Sequence, residues 1–118
     1  MATATNLLSW EAFEKLPDDG MHHEVIQGEL ITLPPPQFPH VKVAKRLYQA
    51  LFVLEEKGVG EVFVEAGYKL SEKPATWIQP DVSFLRPGRT ADVTRYLTGA
   101  PDLAVEVVSP SDLSLIHI

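Results

Sequence analysis

The chain has 118 residues, 45% hydrophobic and 22% charged, the size and composition of one globular domain rather than of a disordered segment. It contains no cysteine, which excludes disulfides and thiolate metal sites, and no apolar stretch long enough to span a bilayer. Ten Lys and Arg against sixteen Asp and Glu leave a formal net charge of −6. That balance excludes a general nucleic-acid-coating role, but not an acidic enzyme whose bound cation supplies local positive charge.

The opening residues Met1-Ala2-Thr3-Ala4-Thr5-Asn6 lack the basic and apolar regions of a secretory signal, so the expected setting is the cytoplasm. Ser9 is placed to cap a short helix over Trp10 to Leu16, with Leu8 and Phe13 at the spacing of a hydrophobic staple. Pro17-Asp18-Asp19-Gly20 ends it. "HHEVIQGELITLP" then reads as two β-runs around a Gln27-Gly28 turn. Pro34-Pro35-Pro36 forces an extended crossing, because each ring fixes φ and removes a donor.

The strongest helix opens at Pro39 and His40. Val41, Ala44, Leu47, Tyr48, Leu51 and Leu54 recur at helical spacing, Lys42, Lys45 and Arg46 lie mostly off that stripe, and Gly58 is a stop. "EVFVEAGYKL" reads as one strand, with Val62, Val64, Ala66, Tyr68 and Leu70 on one face. In "WIQPDVSFL" the proline places the regular part from about Asp81 onward. Arg86-Pro87-Gly88-Arg89 is a turn, Ala91 to Leu97 are expected to form a brief helix, and "LAVEVVS" is dense enough for a central, doubly covered strand. The predicted fold class is α+β with mixed α/β layers: an N-terminal helix and hairpin, a long helix, then a central mixed sheet.

Two carboxylates stand among apolar neighbours: Asp81 before Val82, Phe84 and Leu85, and Glu106 within Val105-Glu106-Val107-Val108. A buried carboxylate must be paired, protonated or bound to a cation. Either each is an edge-strand charge or ion-pair partner, or the two converge on one cation. Oxygen ligands from two neighbouring strands suit Mg²⁺, leaving positions open for water and a phosphate.

At these residues the chain resembles the Uma-two family of restriction-endonuclease-like proteins, within the PD-(D/E)xK nuclease superfamily. The resemblance is carried in order by "HEVIQGELITLPPP", His40, "GEVFVEAGYKL", "QPDVSFLRP" and "GAPDLAVEVVSPSD". It implies a restriction-endonuclease-like core that hydrolyses DNA phosphodiester bonds. It also implies that Asp81 is the aspartate of the PD motif, that Glu106 is the acid of the second half-motif, and that both bind Mg²⁺ or Mn²⁺. Glu24 matches a glutamate of the family's first strand and His40 a histidine at the start of its long helix. Either borders the site or is an ordinary surface polar group. The expected partner is DNA, with no membrane and with a homodimer as a further expectation.

One departure stands out. Two residues after Glu106, where the E-x-K form places lysine, the chain has Val108. The resemblance implies that the lysine comes from a following helix, which would begin at Ser111-Asp112; Lys69 is either a strand-borne substitute or a plain surface lysine. The sequence instead ends in Leu113-Ser114-Leu115-Ile116-His117-Ile118. The expected organisation is the N-terminal part of a nuclease-like domain over 1–112, followed over 113–118 by a non-native tail, adapter read-through, with a short native β-tail as the competing reading. The product so cut is expected to be inactive or very weak. Arg86 and Arg89 are either DNA-backbone contacts or a solvated turn. The competing class is a non-catalytic interaction module that keeps the nuclease fold without its chemistry, and metal binding discriminates the two.

Overall fold

A computed structural model describes residues 7–108. In chain order its elements are α1 (Trp10–Glu14), β1 (His22–Ile26), β2 (Glu29–Leu33), α2 (Phe38–Glu56), β3 (Glu61–Val64), β4 (Tyr68–Glu72), β5 (Ala75–Ile78), β6 (Val82–Leu85), β7 (Leu97–Thr98) and β8 (Leu103–Val105). This is the mixed α+β class expected, but the strands form two sheets, in the orders β2-β1-β5-β4-β7 and β3-β6-β8. The residues divide into two compact units, each holding one of those sheets. None of the helices is long and apolar enough to cross a membrane among the described residues.

The first unit draws on the chain up to Pro35, on Gly67–Gln79 and on Asp92–Ala100. Ser9 caps α1 as its sequence predicts, Oγ accepting from the Ala12 N–H at 3.1 Å. α1 ends at Glu14, two residues earlier than expected. The hairpin turn is Gln27-Gly28, both with positive φ (50° and 84°), and this double left-handed turn matches the twist of β1 and β2. Trp10, Val25 and Ala75 form the buried cluster, with Leu8, Phe13, Trp77 and Tyr96 packed around it. Trp77 and Tyr96 meet edge to face at 5.2 Å between centroids, the arrangement that ring quadrupoles favour.

The second unit draws on Pro36–Ala66, Pro80–Ala91 and the chain from Pro101. α2 begins with Pro39 in its first turn, where a missing N–H has no cost. It ends in a Schellman motif: Gly58 N–H donates to Glu55 O and Val59 N–H to Leu54 O, both at 3.0 Å, with Gly58 at φ 76°. Ala44, Leu47, Tyr48, Leu51, Phe52 and Leu54 cover Val62, Val82 and Phe84. All four residues of β6 are buried, as a strand paired on both sides and roofed by a helix should be. Burying each Val or Phe contributes about 1.5–3 kcal/mol, and this cluster holds in register the strand that directly follows Asp81.

Four expectations are corrected. "EVFVEAGYKL" is two strands in different sheets, because Glu65 takes a left-handed φ of 52° and Gly67 packs so closely on the Trp77 ring that a Cβ would collide with it. β5 and β7, which the sequence reading lacks, pair β4 on its two sides. Ala91 to Leu97 form turns and bends and the start of β7, not a helix. "LAVEVVS" supplies only the three residues of β8, largely exposed and paired on one side to β6 among the described residues, instead of a doubly covered central strand. The helix start at Ser111-Asp112 and the tail 113–118 lie outside the described residues.

Candidate active site

Asp81 follows Pro80 and stands immediately before β6, so the buried strand fixes where its side chain emerges. Its carbonyl accepts from the Glu65 N–H at 3.2 Å. His40 is the third residue of α2, and its Nε2 lies 3.0 Å from Asp81 Oδ1. The other carboxylate oxygen, Oδ2, accepts from the Val107 N–H at 2.7 Å. A carboxylate held at both oxygens cannot rotate freely, and an ionised Asp81 requires the His40 Nε2 to carry the proton. The two side chains are 14% and 17% exposed, so the pair is shielded yet open to solvent at one edge.

That edge opens into a cleft of about 580 Å³ in the second unit. Val41, Ala44, Lys45 and Tyr48 of α2 form one wall, and Val62 to Glu65 form another. Val41 belongs to the predicted apolar stripe but is 43% exposed, because it faces this opening and not the core. The volume lies in the range of small-ligand sites, which place a few polar groups on apolar walls.

Of the predicted site residues, the structure brings His40 and Asp81 into contact. Glu106 lies just past β8 and is exposed. The β6–β8 register, Val82↔Val105, brings this stretch of chain beside Asp81, as the Val107 N–H bond records. Glu24 is on β1 in the first unit. Its Oε2 accepts from the Gln79 N–H at 2.7 Å and lies 3.5 Å from His22 Nε2. Burial works against its ionised form, yet the His22 and Gln79 donors prevail and hold its carboxyl below the usual range.

Lys69 is not available as a substitute lysine. It pairs with Glu72, which raises its pKa, and its Nζ sits 4.3 Å over the Trp10 ring. Arg86 and Arg89 are held by Asp102: Arg86 donates through its backbone N–H (2.8 Å) and Nε (3.1 Å), Arg89 through Nη1 (2.9 Å). These donors lower the Asp102 carboxyl to about 2. Lys45, Tyr48, Glu65 and the Val107 N–H are the site groups that sequence reasoning missed. Lys45 and Tyr48 carried a usable signal, standing four and seven residues after Val41 and so on the same side of α2.

The donor set bears on the implied metal. No group of three or more His, Cys, Asp or Glu side chains stands ready to cage a cation among the described residues. Mg²⁺ needs no such cage, since it keeps several waters and takes one or two carboxylates together with substrate phosphates. A fixed Asp81 carboxylate, with Glu106 next in chain to the Val107 N–H that binds it, is a donor set of the sparse kind that ion takes and not a closed structural zinc site.

A family model described as "Uma2: Putative restriction endonuclease" matches residues 10–115. No curated protein matches the chain. Among solved structures the fold is similar to a protein described as a putative nuclease belonging to DUF820, from Anabaena variabilis. The TM-score is 0.76 at 23% identity, over 88% of this chain and 60% of that one. The chain thus spans about 60% of the length of the structure it matches.

Proposed function

This chain belongs to the Uma2 family of putative restriction endonucleases, and from that premise we propose that it carries the Asp81 centre of a metal-dependent nuclease acting on DNA phosphodiester bonds. Asp81 and Glu106 are the residues that hold the Mg²⁺ or Mn²⁺. When bound, that ion lowers the pKa of an attacking water and polarises the scissile phosphate. The observation that supports this reading is the Asp81 carboxylate, fixed at both oxygens on the wall of a cleft of ligand size.

The chain's own residues do the positioning. The Val107 N–H orients the carboxylate plane at Oδ2, and the His40 Nε2, 3.0 Å from Oδ1, holds the other oxygen. Val108 stands where the E-x-K pattern has lysine, so nicking by this chain is expected to be weak. Calorimetric Mn²⁺ titration tests the reading. Asp81→Asn should lower the affinity at least about tenfold, in line with loss of a charged ligand, and any Mg²⁺-dependent plasmid nicking should vanish with it. Unchanged metal affinity in Asp81→Asn, or nicking that persists in EDTA, would overturn it.

A second reading has a specific observation behind it. Both Asp81 oxygens already have protein donors, as they would in a non-catalytic interaction module that keeps the fold. The same titration separates the two, because the module binds neither Mg²⁺ nor Mn²⁺.

A further inference from the structure

The chain carries ten Lys and Arg, all between Lys15 and Arg95 and therefore all among the described residues. Four make ion pairs: Lys69 with Glu72, Arg86 and Arg89 with Asp102, and Arg95 with Glu14. Of the remaining six, three fall within five residues of α2, namely Lys42, Lys45 and Arg46. They stand at the i, i+3, i+4 spacing that puts side chains on one helix face, and their Cα atoms span about 6 Å along the axis. α2 has no acid before Glu55, so nothing on this part of the helix neutralises them. All three are exposed, and Lys45 also lines the cleft that holds His40 and Asp81. In a chain of net charge −6, three exposed cations on a stretch of helix that carries no acid form a local cluster of positive charge beside a cleft whose lining includes Glu65 and Asp81.

We propose that Lys42, Lys45 and Arg46 form a track on α2 that grips the phosphodiester backbone of a nucleic-acid strand and leads it past Lys45 into the His40–Asp81 cleft. This rests on the nuclease reading and assigns its backbone contacts to α2. The β6-side arginines, Arg86 and Arg89, are already engaged by Asp102, whereas the α2 cations make no ion pair among the described residues. Lys45 joins the two features, since it belongs both to the exposed cation face and to the cleft wall.

Fluorescence anisotropy of a labelled oligonucleotide, single-stranded and as its duplex, tests the track over a range of salt. EDTA is present throughout, so the result does not depend on Asp81 holding a cation. Removing three phosphate contacts should flatten the slope of log K against log salt by about 2 to 3, from roughly 0.7 per contact on a single strand to 0.9 on a duplex. The K42A/K45A/R46A chain should therefore bind at least about tenfold more weakly at low salt, whereas K42R/K45R, which keeps both charges, should bind as the parent does. K15A/K57A/K73A makes the same change in net charge among the other unpaired lysines and should leave the slope nearly unchanged. Equal loss in both triple variants, an unchanged slope, or no binding by the parent chain overturns the proposal. Whichever oligonucleotide binds more tightly identifies the form of the backbone recognised.

Discussion

At the scale of single residues, carboxylates do the local organising. Asp102 gathers three donors from Arg86 and Arg89 and so ties the turn after β6 to the residue before β8. Its carboxyl is lowered from its ordinary 3.8 to about 2, first by the Arg86 backbone N–H and then by the Arg89 side chain. The folded chain therefore prefers the ionised form, and the linked stability is present above about pH 4 and lost as pH falls toward 2. Asp102→Asn should melt below the parent at neutral pH, with the gap in Tm closing steadily as pH is lowered from about 4 to 2. A gap independent of pH would show that the arginines do not hold the ionised carboxylate. His40 makes a complementary case. Its removal leaves Asp81 Oδ1 without that donor, so His40→Ala should cost about 1–2 kcal/mol in urea unfolding. No loss of stability would mean that the contact has no net worth in the folded chain.

At the scale of elements, what was legible in the sequence is what local chemistry determines. Ser9, the Gln27-Gly28 turn, Pro39 and the Gly58 stop each act within a few residues, and each reappears where the pattern puts it. Ser9→Ala should accordingly destabilise the fold by about 1 kcal/mol, measurable by denaturant unfolding, with Ser9→Gly costing less. The misses have a common cause, which is that partners far along the chain decide them. The run from Glu61 to Leu70 alternates well enough for one strand. It divides because β3 pairs with β6 while β4 pairs with β5 and β7. β7 is two residues long and exists through its parallel pairing to Tyr68 and Lys69, which no window of sequence reveals. The Asp81–His40 contact joins residues 41 apart. The family resemblance named both residues, but the Val107 N–H that completes the carboxylate's environment leaves no mark in side-chain pattern. Gly60 is a further case of a long-range constraint: a Cβ there would collide with the Leu85 carbonyl and the Phe84 ring. Gly60→Ala should cost about 1–3 kcal/mol, because the obstacle includes backbone that cannot swing aside.

At the scale of the whole molecule, the two units are each assembled from three separate stretches of one chain. The stretches alternate along the sequence, so neither unit is a contiguous segment. Unfolding one frees the ends of every stretch that builds the other, and the conformational entropy released is of order 1–2 kcal/mol per backbone residue. The two should therefore melt together. The aromatic residues supply separate reporters, since both tryptophans, Trp10 and Trp77, pack in the cluster of the first unit. Helical circular dichroism reports mainly on the second, because α2 has 19 residues and α1 has five. The melting curve followed by tryptophan fluorescence should coincide with the curve followed by helical dichroism. Val25→Ala, which empties space at a fully buried position of the first unit, should lower both midpoints equally. If the variant moves the fluorescence midpoint and leaves the helical one in place, interleaved connectivity does not couple the units. The His40–Asp81 contact of the second unit would then keep its integrity independently of the first.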